Sequence, residues 1–156
     1  NSEKNPKIIS SQLCKVFDIT KVGKDQESIT KHRIGQDYFR KMVLKNYNFK
    51  CCITGLNVPV ILRASHISPW AKDKNNRMNP ANGLCLSATY DAAFDKYLIS
   101  LDDEYRLIIS KEIKEYYTSE VTKEYFENYE GKKIALPVKF LPDKKLLRNH
   151  REHMEK

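Results

Sequence analysis

No apolar run in this 156-residue chain approaches the length of a membrane span: charge interrupts each of the longest within about ten positions, whereas a spanning helix needs roughly twenty apolar residues. A secretory start, with a basic segment followed by an apolar one, is also missing. The four cysteines, Cys14, Cys51, Cys52 and Cys85, lack paired secretory spacing, which argues against a disulfide framework and for a reducing, cytoplasmic setting. Nor do they make a zinc knuckle. Gly55 stands where the second cysteine of a CxxC from Cys52 would be, no second CxxC follows, and structural zinc normally takes four nitrogen or sulfur ligands. Internal repeats and an arginine-rich tail are absent as well. What the chain has is positive charge. It carries 28 Lys+Arg against 20 Asp+Glu, a net +8 spread along its length, which favours polyanionic partners without proving one.

The length suits one domain with a substantial core. Residues 1–7 read as a frayed linker, a short apolar stretch follows, and 22–33 read as a polar surface loop, so that 1–32 form an N-terminal extension to a domain over 33–156. Gly35 to Asn48 has helical periodicity, with Phe39, Met42, Val43 and Tyr47 on one stripe and Arg40, Lys41 and Lys45 off it, as in an amphipathic core helix with a solvated basic side. Residues 58–67 read as extended, with Val60, Leu62 and Ala64 on one side and His66 closing that phase. A polar loop over 70–82 leads to a second strand, GLCLS, and then to a helix over 88–97 with Ser87 as N-cap. A hairpin over 98–110, two short helices split near Thr118–Ser119, Gly131 as a terminator and a final helix from Pro142–Asp143 complete the α+β pattern.

The chemistry concentrates between Ala64 and Asp95. Phosphodiester hydrolysis needs an activated water, charge neutralisation at the phosphoryl oxygens and help for the leaving oxygen. His66 can serve as the base, since an unperturbed imidazole is largely neutral at working pH. Asp91 and Asp95, four apart on a helix, point from one face, and an all-oxygen anionic pair favours Mg²⁺ or Mn²⁺ over zinc. Asn82, which can donate and accept, is suited to tying the long loop to the strand that carries His66. Arg77 in that loop is a candidate to grip a phosphate bidentately. Each residue also has a plainer account: a histidine after an apolar strand is often structural, the aspartates could be a solvated helix face beside Lys96, and Asn82 before Gly83 could be a turn residue. Trp70 reads as packing, and His32, His150 and His153 as surface or local-packing residues, with weak support for His150 and Arg151 touching phosphate.

The run ASHISPW, then RMNPANGLCLS, then DAAFD resembles the HNH nucleases of the ββα-metal group, most of all the branch found in bacterial restriction-type endonucleases. Flanks similar to that branch extend the resemblance to about residues 33–152. It implies a ββα-metal core with flanking helices and an additional β-hairpin, and Mg²⁺- or Mn²⁺-dependent cleavage of double-stranded DNA to 5′-phosphate and 3′-hydroxyl ends. In it His66 is the general base, Asn82 the middle residue, Asp91 a metal ligand and Asp95 a second one. Ser65 stands where many relatives carry a metal-binding Asp or His, which makes it a weak ligand or one acting through water, and Tyr97 replaces a common glycine. A role in bacterial restriction or defence, a homodimer and an upstream specificity domain are further implications. A nucleic-acid-binding module that keeps the fold without catalysis is the alternative, and an interaction domain with incidental basicity a more distant one.

Overall fold

The computed structural model describes residues 5–17 and 26–154. The first helix, α1, spans Pro6–Phe17. Asn5 starts it: its Oδ1 accepts from the Lys7 amide at 2.9 Å, and Pro6 occupies the first helical position, where a missing N–H costs nothing. The second, α2, spans Gln26–Asn46. Residues 26–33 are therefore helical rather than loop, and the expected boundary at residue 33 falls inside a continuous helix; residues 1–4 and 22–25 lie outside the described residues. Farther along, α2 follows the stripe in its sequence: Phe39 and Val43 are buried, with Leu44 beside them, and Tyr47, just past the helix end, is buried as well.

The chain then makes a turn through Gly55, at φ +79°, and a 3₁₀ turn at Pro59–Ile61 before strand β1, Leu62–His66. The extended segment is thus shorter than the 58–67 read from alternation, and Val60 is 78% exposed instead of sharing the core face with Leu62. Arg40 fixes this approach by donating through Nη1 to the Leu62 carbonyl and through Nη2 to that of Pro59, so it is a backbone clamp and not part of a freely solvated basic side. Strand β2, Gly83–Ser87, pairs antiparallel with β1, with Ala64 opposite Cys85 and His66 opposite Gly83. Helix α3, Ala88–Asp95, follows directly. Ser87 stands at its N-cap but makes no side-chain capping bond. This strand–loop–strand–helix unit packs against α2 and, through α3, against the hairpin of β3 (Ile99–Leu101) and β4 (Leu107–Ile109).

At Gly83 the side chains of α2 lie close against β2. A Cβ there would lie 2.5 Å from Val43 Cγ2 and 2.9 Å from Phe39 Cζ, so only glycine fits without displacement. Past α3, Tyr97 holds the left-handed backbone, φ 58°, of the glycine it replaces; its ring stacks on His153 with centroids 4.8 Å apart and leans on His150 at the same distance. Helices α4 (Lys111–Lys114) and α5 (Glu120–Phe126) split where the sequence suggests, and Ser119 caps α5 by accepting from the Thr122 amide at 3.4 Å. Gly131, at φ +73°, ends this segment. The last helix, α6 (Lys144–Met154), is capped by Asp143, whose Oδ1 accepts from the Lys145 amide at 2.8 Å, and it buries Leu146, Leu147 and His150. Cys51, Cys52 and Cys85 sit in the core, and burial raises the Cys52 thiol well above its ordinary value and Cys85 to about 12. Among the described residues no helix is long and apolar enough to cross a membrane.

Candidate active site

β1 delivers His66 to the mouth of a cleft of about 390 Å³ between that strand and α3. Its imidazole lies flat on Phe39, ring centroids 3.9 Å apart at 13°, and meets the edge of Trp70 at 5.6 Å. The Gly83 contact brings Phe39 close, so the absence of a side chain on β2 and the seat of the imidazole on α2 are one packing arrangement. His66 Nε2 lies 3.0 Å from the Arg77 carbonyl. A carbonyl only accepts, so Nε2 carries the proton and Nδ1 holds the basic lone pair. Among the described residues Nδ1 makes no hydrogen bond. Burial pulls the pKa down to about 4; the Arg77 carbonyl opposes this, and the nearby Arg77 charge adds to it. The ring is therefore neutral at pH 7.

Asn82 is fully buried, and each of its amide atoms is used. Oδ1 accepts from the Ser68 amide at 2.7 Å, and Nδ2 donates to the Ser68 carbonyl at 3.1 Å and to that of Asn76 at 3.0 Å. Two residues past His66, the loop is thus pinned to the start of β2, which is the tie its sequence position suggests. The Ile67 amide adds a bond to the Asn82 carbonyl at 2.9 Å.

Arg77 lies elsewhere than at the surface, where a phosphate could reach it. It is 6% exposed, its Nε donates to the Trp70 carbonyl at 2.7 Å, and its guanidinium lies 5.2 Å from the centre of the Trp70 ring. Its side chain closes the loop, and its backbone carbonyl orients His66. Trp70 is the hub of this wall, with His32 edge-on at 4.7 Å. His32 is thus packed locally, as is His153, which stacks on Tyr97. His150 is buried in the core instead, 4% exposed, and is no phosphate contact.

α3 supplies the acidic side. Asp91 and Asp95 both line the cleft, Asp91 half-buried and Asp95 exposed. Partial desolvation of the carboxyl in the cleft, with the Asp91 charge beside it, holds Asp95 above the ordinary carboxylate range, and Lys96 partly offsets this. Ser65 completes the floor. It is 2% exposed, and its Oγ has no hydrogen-bond partner among the described residues. A buried hydroxyl without a partner is unfavourable unless something else in the cleft meets it. Two carboxylates and one orphaned hydroxyl form an all-oxygen donor set that suits a hard divalent ion keeping several waters. Among the described residues no three His, Cys, Asp or Glu side chains gather as a metal cage, so such an ion would complete its shell with water and substrate oxygen.

Arg63 also lines the cleft, a position the sequence reading passed over. Strand alternation was the available signal, because Arg63 and Ser65 are two apart and share a face of β1.

Two antiparallel strands run into a helix, with a histidine on the first strand, a buried asparagine opening the second and paired aspartates on the helix, a ββα arrangement. Residues 51–102, which hold every one of these groups, match the HNH endonuclease family model, about a third of the chain. A solved structure with a similar fold is that of the modification dependent TagI restriction endonuclease: 17% identity, a TM-score of 0.55, 74% of this chain covered. The match spans 37% of that other chain, so the likeness is one of fold to part of a larger enzyme. No curated protein matches the chain.

Proposed function

We propose that this chain is a divalent-metal-dependent DNA endonuclease that hydrolyses phosphodiester bonds with His66 as general base. The observation that carries this reading is the single unengaged nitrogen of a neutral, rigidly seated imidazole in the same cleft as two carboxylates. His66 Nδ1 takes the proton from a water as its oxygen attacks phosphorus, while Nε2–H stays on the Arg77 carbonyl and keeps the ring from rotating. Asn82 acts on position alone, through the Ser68 backbone. Phe39 and Trp70 exclude bulk water from two sides of the ring. Asp91 and Asp95, with Ser65 directly or through a water, would hold Mg²⁺ or Mn²⁺, which supplies charge neutralisation at a phosphoryl oxygen and at the leaving 3′ oxygen. The products are 5′-phosphate and 3′-hydroxyl ends on double-stranded DNA. Restriction or defence in the bacterial cytoplasm is the setting we propose, with cleavage of both strands needing a homodimer or two encounters and target choice coming from another domain.

Plasmid cleavage with Mg²⁺ or Mn²⁺, wild type beside His66→Ala, tests the reading. Metal-dependent cleavage that disappears in a folded variant supports it, and equal nicking by both proteins removes His66 from the chemistry. A second reading, a DNA-binding module without catalysis, draws on Ser65, a hydroxyl in place of a third anionic ligand. Ser65→Asp separates the two. Tighter Mn²⁺ binding by calorimetry together with faster cleavage is expected of the nuclease, and binding of DNA without cleavage by either protein is expected of the module.

A further inference from the structure

A phosphodiester entering this cleft meets two carboxylates, and something there must offset their repulsion. Three arginines lie near enough to consider, and two of them are already engaged. Arg40 donates through both terminal nitrogens to backbone carbonyls that lead into β1. Arg77 is buried against Trp70 and donates to its carbonyl. Arg63 is exposed, lines the cleft with Ser65, His66, Asp91 and Asp95, and is the only permanently charged cation among the cleft's described lining residues. Its hydrogen bond is a long one, 3.3 Å from Nη1 to the carbonyl of its own neighbour Leu62, and among the described residues it forms no ion pair with either aspartate. Its carrier is rigid. β1 is held by β2 on one edge and by the Arg40 clamp at its start, so the guanidinium has a fixed origin on the face it shares with Ser65.

Resting on the nuclease reading, we propose that Arg63 is the side chain that receives a DNA backbone phosphate at this site, the role that loop position suggests for Arg77. A planar guanidinium with free N–H groups grips two phosphate oxygens at once. Set on the strand that carries His66, it fixes the phosphate relative to the base, and it counters the carboxylates before a metal ion is in place.

Duplex binding followed by fluorescence anisotropy, in EDTA so that no cleavage occurs, tests this across a potassium chloride series. Wild type is compared with Arg63→Ala, Arg63→Lys and Arg77→Ala, with thermal unfolding of each. Arg63→Ala should weaken binding on the order of tenfold and flatten the dependence of log K on log salt by about 0.9, at an unchanged melting temperature. Arg63→Lys should keep the salt slope and recover only part of the affinity, since an ammonium is a point charge. Arg77→Ala should lower the melting temperature and leave the slope in place. Affinity and slope in Arg63→Ala equal to wild type overturn the proposal, as does loss of the slope in a folded Arg77→Ala. Mg²⁺-dependent cleavage by the wild type is scored separately. A flattened slope without cleavage keeps the phosphate site and sinks the nuclease, whereas cleavage with an unaltered slope sinks Arg63 alone.

Discussion

His66 and His150 are built almost alike and end in different roles. Each imidazole lies flat on a phenylalanine, Phe39 at 3.9 Å for one and Phe94 at 3.8 Å for the other. Each donates through Nε2 to a backbone carbonyl, that of Arg77 at 3.0 Å and that of Phe94 at 2.9 Å. Burial takes both to a pKa of about 4. They part at Nδ1. In His150 this nitrogen accepts from the Ser100 hydroxyl at 2.8 Å, inside the core. In His66 it has no partner among the described residues, at a cleft with two carboxylates. A depressed pKa and a fixed tautomer are thus shared by a structural histidine and a candidate base, and the free lone pair tells them apart.

The largest expected effect breaks the pair outright. His66→Ala should lower cleavage by on the order of 10² to 10⁴-fold, the usual weight of general base catalysis. His150→Ala should leave the folded protein's cleavage rate near wild type while costing about 2–4 kcal/mol of stability, from lost packing and an orphaned Ser100. Plasmid cleavage and urea unfolding on both variants check this, and a comparable loss of rate in His150→Ala would erase the distinction.

Gly83→Ala strikes the His66 seat and spares that of His150. Overpacking against Val43 and Phe39 should cost about 1–3 kcal/mol, and displacement of Phe39 should slow cleavage in whatever protein folds. Stability lost with the rate intact would mean that the imidazole does not depend on the ring beneath it.

Acid should treat the two histidines alike. Both are neutral in the folded protein down to about pH 4, whereas an unfolded imidazole takes up its proton near pH 6.5. The unfolded chain therefore binds more protons between those values. Stability contributed by each group is complete above about pH 6.5 and declines by about 1.4 kcal/mol per pH unit as pH falls towards 4. Urea midpoints at pH 7, 5.5 and 4.5 should show the decline, and His150→Ala should make it shallower. Cleavage separates the pair again: the acid limb of kcat/KM should lie well below pH 6.5 and be unmoved by His150→Ala. An acid limb near pH 6.5 would mean a hydrated His66.

The smallest effect concerns the wall of the His150 site. Tyr97→Gly relieves a left-handed backbone that costs a side chain about 1–2 kcal/mol, and it removes ring contacts with His150 and His153 of similar size. The net change in unfolding free energy should stay within about 1 kcal/mol by these magnitudes. A larger loss would show that the ring holds His150 in place.

Much of the site was legible because its signals are local. Pro and Gly punctuation, the GLCLS run and the four-residue spacing of Asp91 and Asp95 all act over a few positions, and the strand, helix and shared face follow from them. The Asn82 tie was legible for a related reason: an amide opening a strand after a long polar loop has few other tasks. Arg77 misled because its fate depends on where the Trp70 carbonyl and indole fall in space, which loop composition does not encode. Arg63 was overlooked because an outward-facing arginine in a strand looks ordinary until a helix is placed opposite. Residues 26–33 of α2 read as loop because they carry no apolar stripe; Ile29 is about half exposed, so periodicity has nothing to detect there. His150 escaped because its burial follows from the docking of α6 on α3 and the hairpin, a long-range contact.

Helix α1 meets the loop through Ser10, buried, whose hydroxyl donates to the Asn75 carbonyl at 2.6 Å, and through the Cys14 thiol, 3.7 Å from that of Lys74. The next residue, Asn76, accepts from Asn82, and Asn82 holds Ser68. Helix α1 and the strand end that carries the imidazole are thus joined by hydrogen bonds alternating with short stretches of backbone, so the helix works as the far arm of a linkage whose near end lies two residues from the base. A tilt of α1 would therefore be felt at the loop whose Asn82 tie positions His66.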